Sequence, residues 1–186
     1  MNNYITVDLN DYFNHKSILE NPNMEVINGD MDERFFNPAF LPDSLDVIKV
    51  SGIPFIFPDK APDKYDNLTL KNQVVKIPEG MYNSLHFLGC SEYGNYREKI
   101  ILNYAEGDFE EIKLQFCDWY KGKTIWEFDL CKTYETALTG DNNIGIPVYI
   151  YHYVHPIINT DKLLNSIEFS CNQNVHIYAI TLGCKK

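Results

Sequence analysis

Two short segments carry the side chains best suited to touching a ligand. Cys90-Ser91-Glu92-Tyr93-Gly94-Asn95-Tyr96-Arg97 gathers two phenol rings, an amide, a carboxylate and a guanidinium, and the stretch from Cys117-Asp118-Trp119-Tyr120 to Trp126 holds both tryptophans of the chain. That mixture suits a saccharide, because the apolar face of a pyranose packs on an aromatic ring while its hydroxyls require several fixed donors and acceptors. Trp126 and Tyr120 are the expected stacking platform, with Tyr93, Tyr96, Arg97 and Asp118 as polar or aromatic neighbours. Trp119 reads instead as a packed ring, and a polar loop lying over a sheet edge is the plain structural alternative for the first segment.

Other chemistries leave weaker traces. Arg34-Phe35-Phe36-Asn37 offers a further early loop, and Thr139-Gly140-Asp141-Asn142-Asn143-Ile144-Gly145 clusters oxygens that could accept calcium without the ligand spacing of an EF-hand. A structural calcium is thus an open expectation with no residue assigned to it. In Val148-Tyr149-Ile150-Tyr151-His152-Tyr153-Val154-His155, period two puts the tyrosines on one strand face and His152 with its apolar neighbours on the other. The tyrosine stripe is either a flat platform, for a sugar or for self-association, or the aromatic edge of a core. His152 and His155 fall on opposite faces, so they do not chelate one metal. The chain contains no Gly-x-Ser-x-Gly elbow, phosphate-binding glycine loop, dinucleotide fingerprint or His-Glu-x-x-His motif. Cys117 beside Asp118 has no identifiable base, and the expectation is a protein that is not an enzyme. A small glycoside hydrolase with two carboxylates hidden among the 26 acidic residues is the remaining catalytic alternative.

These segments must be held by a sheet scaffold. Apolar and polar residues alternate in Glu111-Ile112-Lys113-Leu114-Gln115-Phe116 and in Ile167-Glu168-Phe169-Ser170-Cys171, which describes strands with one buried face. Further strands are expected at Tyr4–Leu9, Asp46–Val50, Gln73–Ile77, Ser84–Cys90, Lys99–Leu102, Val148–Val154 and Val175–Leu182. Ala105 to Asp108 reads as a hairpin turn with Gly107 at positive φ. Gly52-Ile53-Pro54-Phe55 and Ile77-Pro78-Glu79-Gly80 read as strand ends where glycine permits reversal and proline fixes φ. Only short helical turns are expected, at Asp11–Leu19 and Thr160–Leu164. Many short strands at this spacing predict one all-β domain over residues 1–186, a two-sheet antiparallel β-sandwich of jelly-roll type.

Composition agrees with a single globular core: 186 residues, 45% hydrophobic. A formal net charge of -10 repels phosphate backbones and anionic lipid, so neither nucleic acid nor membrane is an expected partner. The first residues show no basic and apolar leader pattern, and five cysteines without metal or paired spacing suggest free, mostly buried thiols, so the default expectation is a cytoplasmic chain.

Several strings taken together resemble a known family. Gly52-Ile53-Pro54-Phe55, Pro58-Asp59, Ala61-Pro62-Asp63, Asn67, Ile77-Pro78, Leu85-His86 with Leu88-Gly89, Tyr104-Ala105-Glu106-Gly107, Cys117-Asp118-Trp119 and His176-Ile177-Tyr178-Ala179 are similar to galactose-binding-like β-sandwich domains found beside microbial glycoside hydrolases. The resemblance spans most of the chain and implies a non-catalytic, lectin-like carbohydrate-binding module. Of the family positions it includes, His86 joins Asp118 as a candidate polar contact, while a satisfied core histidine is the plain reading of both His86 and His176. A protein-interaction module that self-associates is the alternative of a different class.

Overall fold

Alternation becomes antiparallel sheet throughout the computed structural model of this chain. The structure describes residues 4–20, 34–120, 129–134, 137–139, 142–143 and 147–185, with the backbone alone for 129–134, 137–139 and 142–143. In chain order the strands are β1 (Tyr4–Val7), β2 (Arg34–Phe36), β3 (Val47–Val50), β4 (Ile53–Ile56), β5 (Leu68–Lys71), β6 (Val74–Gly80), β7 (Tyr82–Ser91) and β8 (Tyr96–Tyr104). They continue as β9 (Phe109–Phe116), β10 (Asp129–Tyr134), β11 (Ala137–Thr139), β12 (Asn142–Asn143), β13 (Val148–Pro156), β14 (Leu164–Phe169) and β15 (Cys171–Cys184).

The larger sheet runs β1-β15-β7-β13-β10, and β5 also pairs with β15. Because β7 takes one edge of β15 along Val175–Cys184, β1 and β5 must share the other edge end to end. The second sheet runs β6-β14-β8-β9. Tyr153 shows how the sheets face each other: its ring lies 6.3 Å from that of Phe87 in its own sheet and 6.3 Å from that of Phe116 in the other. Its hydroxyl donates to the Lys113 carbonyl at 2.6 Å. Between them Leu85, Ile100, Leu102, Leu114, Ile167 and Leu182 are buried, as apolar side chains on facing strands should be.

The tyrosine stripe of β13 therefore points into this interface. Tyr151 is fully buried and its hydroxyl donates to the Asp118 carbonyl at 3.0 Å. It is the aromatic side of the core, so it cannot serve as an outward platform for sugar or for a second copy. The hairpin expected at Ala105–Asp108 is present, with Gly107 at φ 86. Ser51 and Gly52, at φ 49 and 80, make the tight reversal between β3 and β4. The expected turn at Ile77–Gly80 is absent, because β6 stays extended to Gly80 and the chain crosses between the sheets at Met81. Likewise Asp11–Leu19 holds one turn at Asn10–Tyr12 and then extended chain bridged to Asn67.

A third layer covers the larger sheet, beyond the two sheets that alternation predicts. Residues 8–20, leaving β1, and residues 34–67, leading into β5, lie across the outer face of the larger sheet. There Phe55 packs edge-on to His152 at 5.4 Å, Phe36 to Tyr178 at 5.9 Å, and Thr181 donates to the Pro54 carbonyl at 2.6 Å. Among the described residues no helix is long and apolar enough to cross a membrane.

Candidate ligand-binding cleft

The two segments singled out by residue type do meet. Ser91 bridges Asp118, the Trp119 amide donates to the Ser91 carbonyl at 2.8 Å, and the Asp118 amide donates to Asn95 Oδ1 at 2.8 Å. Asp118 itself is only 5% exposed, and its Oδ1 accepts the Tyr120 amide at 2.9 Å. That carboxylate fixes its own turn. Trp119 is buried edge-on against Phe36 at 4.9 Å, the packed ring expected. The Arg34 guanidinium covers the half-buried Tyr120 ring at 4.9 Å.

The remaining candidates separate. Tyr96 and Arg97 belong to β8, not to the loop, so they point to opposite faces. The Tyr96 hydroxyl accepts from Asn174 at 3.0 Å, while Arg97 donates to Gln115 at 3.0 Å on the second sheet's solvent face. Tyr93 is 65% exposed at the tip of the turn, with φ 58. His86 lies five residues before Ser91 along β7, roughly 17 Å away at strand rise, so it cannot share a site with them. Trp126 and most of the Thr139–Gly145 segment lie outside the described residues. Among the described residues no group of three or more His, Cys, Asp or Glu is arranged to hold a metal ion. Cys90 and Cys117 are buried and in no disulfide, and burial pushes the Cys90 thiol well above the usual range, whereas Cys171 is exposed.

An open cleft of about 410 Å³ lies elsewhere, in the third layer. Its walls are Asn10, Asp11, Phe13, Leu45, Asp59, Asp63, Lys64 and Tyr65. Each wall segment has a local cause. The amides of Tyr12 and Phe13 donate to the Leu9 carbonyl, turning the chain out of β1. Asp59 Oδ1 accepts the Ala61 amide at 3.1 Å, and the Lys64 amide donates to the Ala61 carbonyl, so Asp59–Lys64 is a rigid double turn. Leu45 stands 53% exposed at the left-handed φ of 63, anchored by its amide on the Phe57 carbonyl. Pro58-Asp59 and Ala61-Pro62-Asp63 were visible in the sequence, yet only as turn chemistry. Nothing in the spacing placed them against Asn10 and Phe13, some 50 residues earlier in the chain.

Beneath the cleft wall sits a polar cluster sealed from water. Lys16 Nζ is 3.0 Å from Asp66 Oδ2 and donates to the carbonyls of Lys60 at 3.2 Å and Ala61 at 2.8 Å, both within the wall turn. Asp66 also accepts the amides of Ser17 and Ile18, the Ser17 hydroxyl and Asn67 Nδ2. Burial raises the Asp66 pKa, and the Lys16 charge opposes the rise. Because Asn67 Nδ2 must donate to that carboxylate, its Oδ1 is left to accept from His176 Nδ1 at 2.9 Å. Burial lowers His176 to about 3. Ser17 completes the cluster through the Tyr178 hydroxyl at 2.9 Å. The cluster thus fixes the wall turn to the sheet.

The fold and this arrangement can be set beside known proteins. No curated protein matches the chain. A family model for the AziU2-like beta-sandwich domain matches residues 3–186. The match agrees with the resemblance at the level of a β-sandwich and carries nothing about carbohydrate modules or glycoside hydrolases. With nearly the whole chain inside that match and two antiparallel sheets facing across one core, the protein belongs to the AziU2-like beta-sandwich domain family.

Proposed function

We propose that this β-sandwich is a saccharide-binding module whose site is the third-layer cleft. The observation that carries the reading is the composition of that cleft: the rings of Phe13 and Tyr65 and the exposed Leu45 beside the amide of Asn10 and three carboxylates. Carboxylates and amides accept hydrogen bonds from vicinal hydroxyls, aromatic and aliphatic walls cover the C–H face of a sugar ring, and about 410 Å³ is within the range of small-molecule sites. Asp11, Asp59 and Asp63 against Lys64 leave the cleft acidic, which favours neutral sugars over uronates or phosphosugars. A shallow site with few buried anchors gives millimolar to micromolar affinity, about 4 to 8 kcal/mol.

A glycan array followed by titration calorimetry tests the reading. Neutral glycans should bind, and Tyr65→Ala and Asp63→Asn should each weaken binding about tenfold without loss of fold. No saccharide bound at millimolar concentration would sink it. If binding survives both substitutions but is lost on Tyr120→Ala, the site lies at the Asp118 loop instead.

A protein-interaction module is the second reading. Phe109 is 67% and Ile158 80% exposed, and the Ile158 amide donates to the Glu110 side chain, which places both at one end of the molecule. Light scattering separates the two: a stable oligomer dispersed by Ile158→Glu, with no glycan binding, favours this second reading.

A further inference from the structure

Near the start of β7 three side chains line up as a hydrogen-bonded relay. Ser84 Oγ lies 3.0 Å from His86 Nε2, and His86 Nδ1 lies 3.1 Å from His152 Nε2. Ser84 and His86 are two apart on one strand, so they share its outer face. His152 reaches them from β13, where it stands opposite Leu88 and diagonal to His86. His86 and His152 are 6% and 2% exposed, whereas Ser84 is half-buried and within reach of solvent. The atoms fall in the order that nucleophile activation requires: hydroxyl to Nε2 of a base, and Nδ1 of that base to a group that orients it.

We propose that Ser84, His86 and His152 form a reactive-serine site that accepts short acyl groups from activated esters. The site is separate from the cleft and independent of the saccharide reading. Ser84 Oγ bonds to the acyl carbon while its proton passes to His86 Nε2. The carbon–oxygen bond to the leaving alcohol breaks, and that oxygen takes the proton from His86. Water then cleaves acyl-Ser84 to a carboxylic acid and the free serine, with no oxidant or metal in the balance. Ser84 and His86 are the catalytic residues. His152 is a positioning residue: it accepts from His86 Nδ1 and so selects the tautomer that leaves Nε2 open to the serine proton.

Two features support this arrangement. Gly183 stands opposite Ser84 in the register, and a Cβ there would overlap Ser84 Oγ, so the glycine leaves the hydroxyl its room. In the same rotamer the hydroxyl is also 3.0 Å from Asn83 Oδ1, a competing acceptor that its proton leaves by rotating about the Cβ–Oγ bond, with Oγ staying in place. Burial and the neighbouring His152 hold His86 down at about 4, so the base is unprotonated at neutral pH.

The full chain should be incubated with a fluorophosphonate probe and then followed by intact mass, peptide mapping and 4-nitrophenyl acetate turnover. One adduct is expected, on Ser84, absent in Ser84→Ala. His86→Gln should slow labelling about a hundredfold, and Gly183→Ala should slow it at least tenfold with near-UV dichroism unchanged. The rate should rise through about pH 4 and stay flat to pH 8, and His152→Gln should move that limb upward by removing one cause of the lowered base. A folded protein that leaves Ser84 unlabelled, or a labelling rate indifferent to His86→Gln, overturns the proposal.

Discussion

The inner face of the larger sheet meets its partner through Phe87, Tyr151 and Tyr153, whereas its outer face meets Ser17, Pro54, Phe55 and Asn67 through Tyr178, Thr181, His152 and His176. Apolar contact is non-directional, so the inner face asks mainly for volume and alternation. The outer face asks each polar atom for a particular partner, because a buried donor or acceptor left unpaired costs about 1–3 kcal/mol. The first face makes a sandwich. The second locates a long excursion on it to within hydrogen-bond distance, and both the cleft and the serine relay belong to that face.

The sharpest way to break this contrast is Asp66→Ala, which leaves the Lys16 ammonium buried and uncompensated. Denaturant unfolding should show a loss of about 3–5 kcal/mol. The double substitution Lys16→Met/Asp66→Leu should restore most of that stability. It should still weaken ligand binding, because the Lys60 and Ala61 carbonyls lose the donor that holds the wall turn. If the double variant binds as well as the native chain, the cluster does not position the cleft.

A smaller effect separates the faces by pH. His86 and His176 are held at about 4 and about 3, below the ordinary histidine value of 6.5. The unfolded chain therefore binds more protons than the native one between those values, and stability falls as pH drops below about 6.5. Burial raises Asp66, which acts in the opposite sense within the carboxylate range. Urea midpoints taken from pH 7 down to pH 5 should decrease, and His176→Gln should flatten the decline. The same series on Leu102→Ala, an inner-face change costing about 2–5 kcal/mol, should shift every midpoint without altering the slope against pH.

The least effect is expected on the solvent face of the second sheet. Lys99 and Glu111 pair at 2.7 Å but are 57% and 51% exposed, so Lys99→Ala should change stability by less than about 1 kcal/mol.

The site was less legible than the scaffold for a geometric reason. Alternation in Glu111–Phe116 is local, and any strand with one wet face writes it into the sequence. Tyr96 and Arg97 were misplaced because β8 begins at Tyr96, two residues after the glycine at the turn, and that boundary sends them to opposite faces. Asp118 and Trp119 were read together from one segment. The structure turns the carboxylate onto its own backbone and the ring into the core.

By itself the sequence determined the all-β class, most of the strands, the hairpin at Gly107, the packing of Trp119 and the scarcity of helix, since each follows from neighbours a few residues apart. Only the tertiary structure decided that the tyrosines of β13 face inward, that Asn10 and Phe13 meet Asp59 and Tyr65, and that His152 contacts His86 across 66 residues of chain. Such contacts depend on which strands become neighbours and in what register, and strand pairing leaves no periodic trace in the chain.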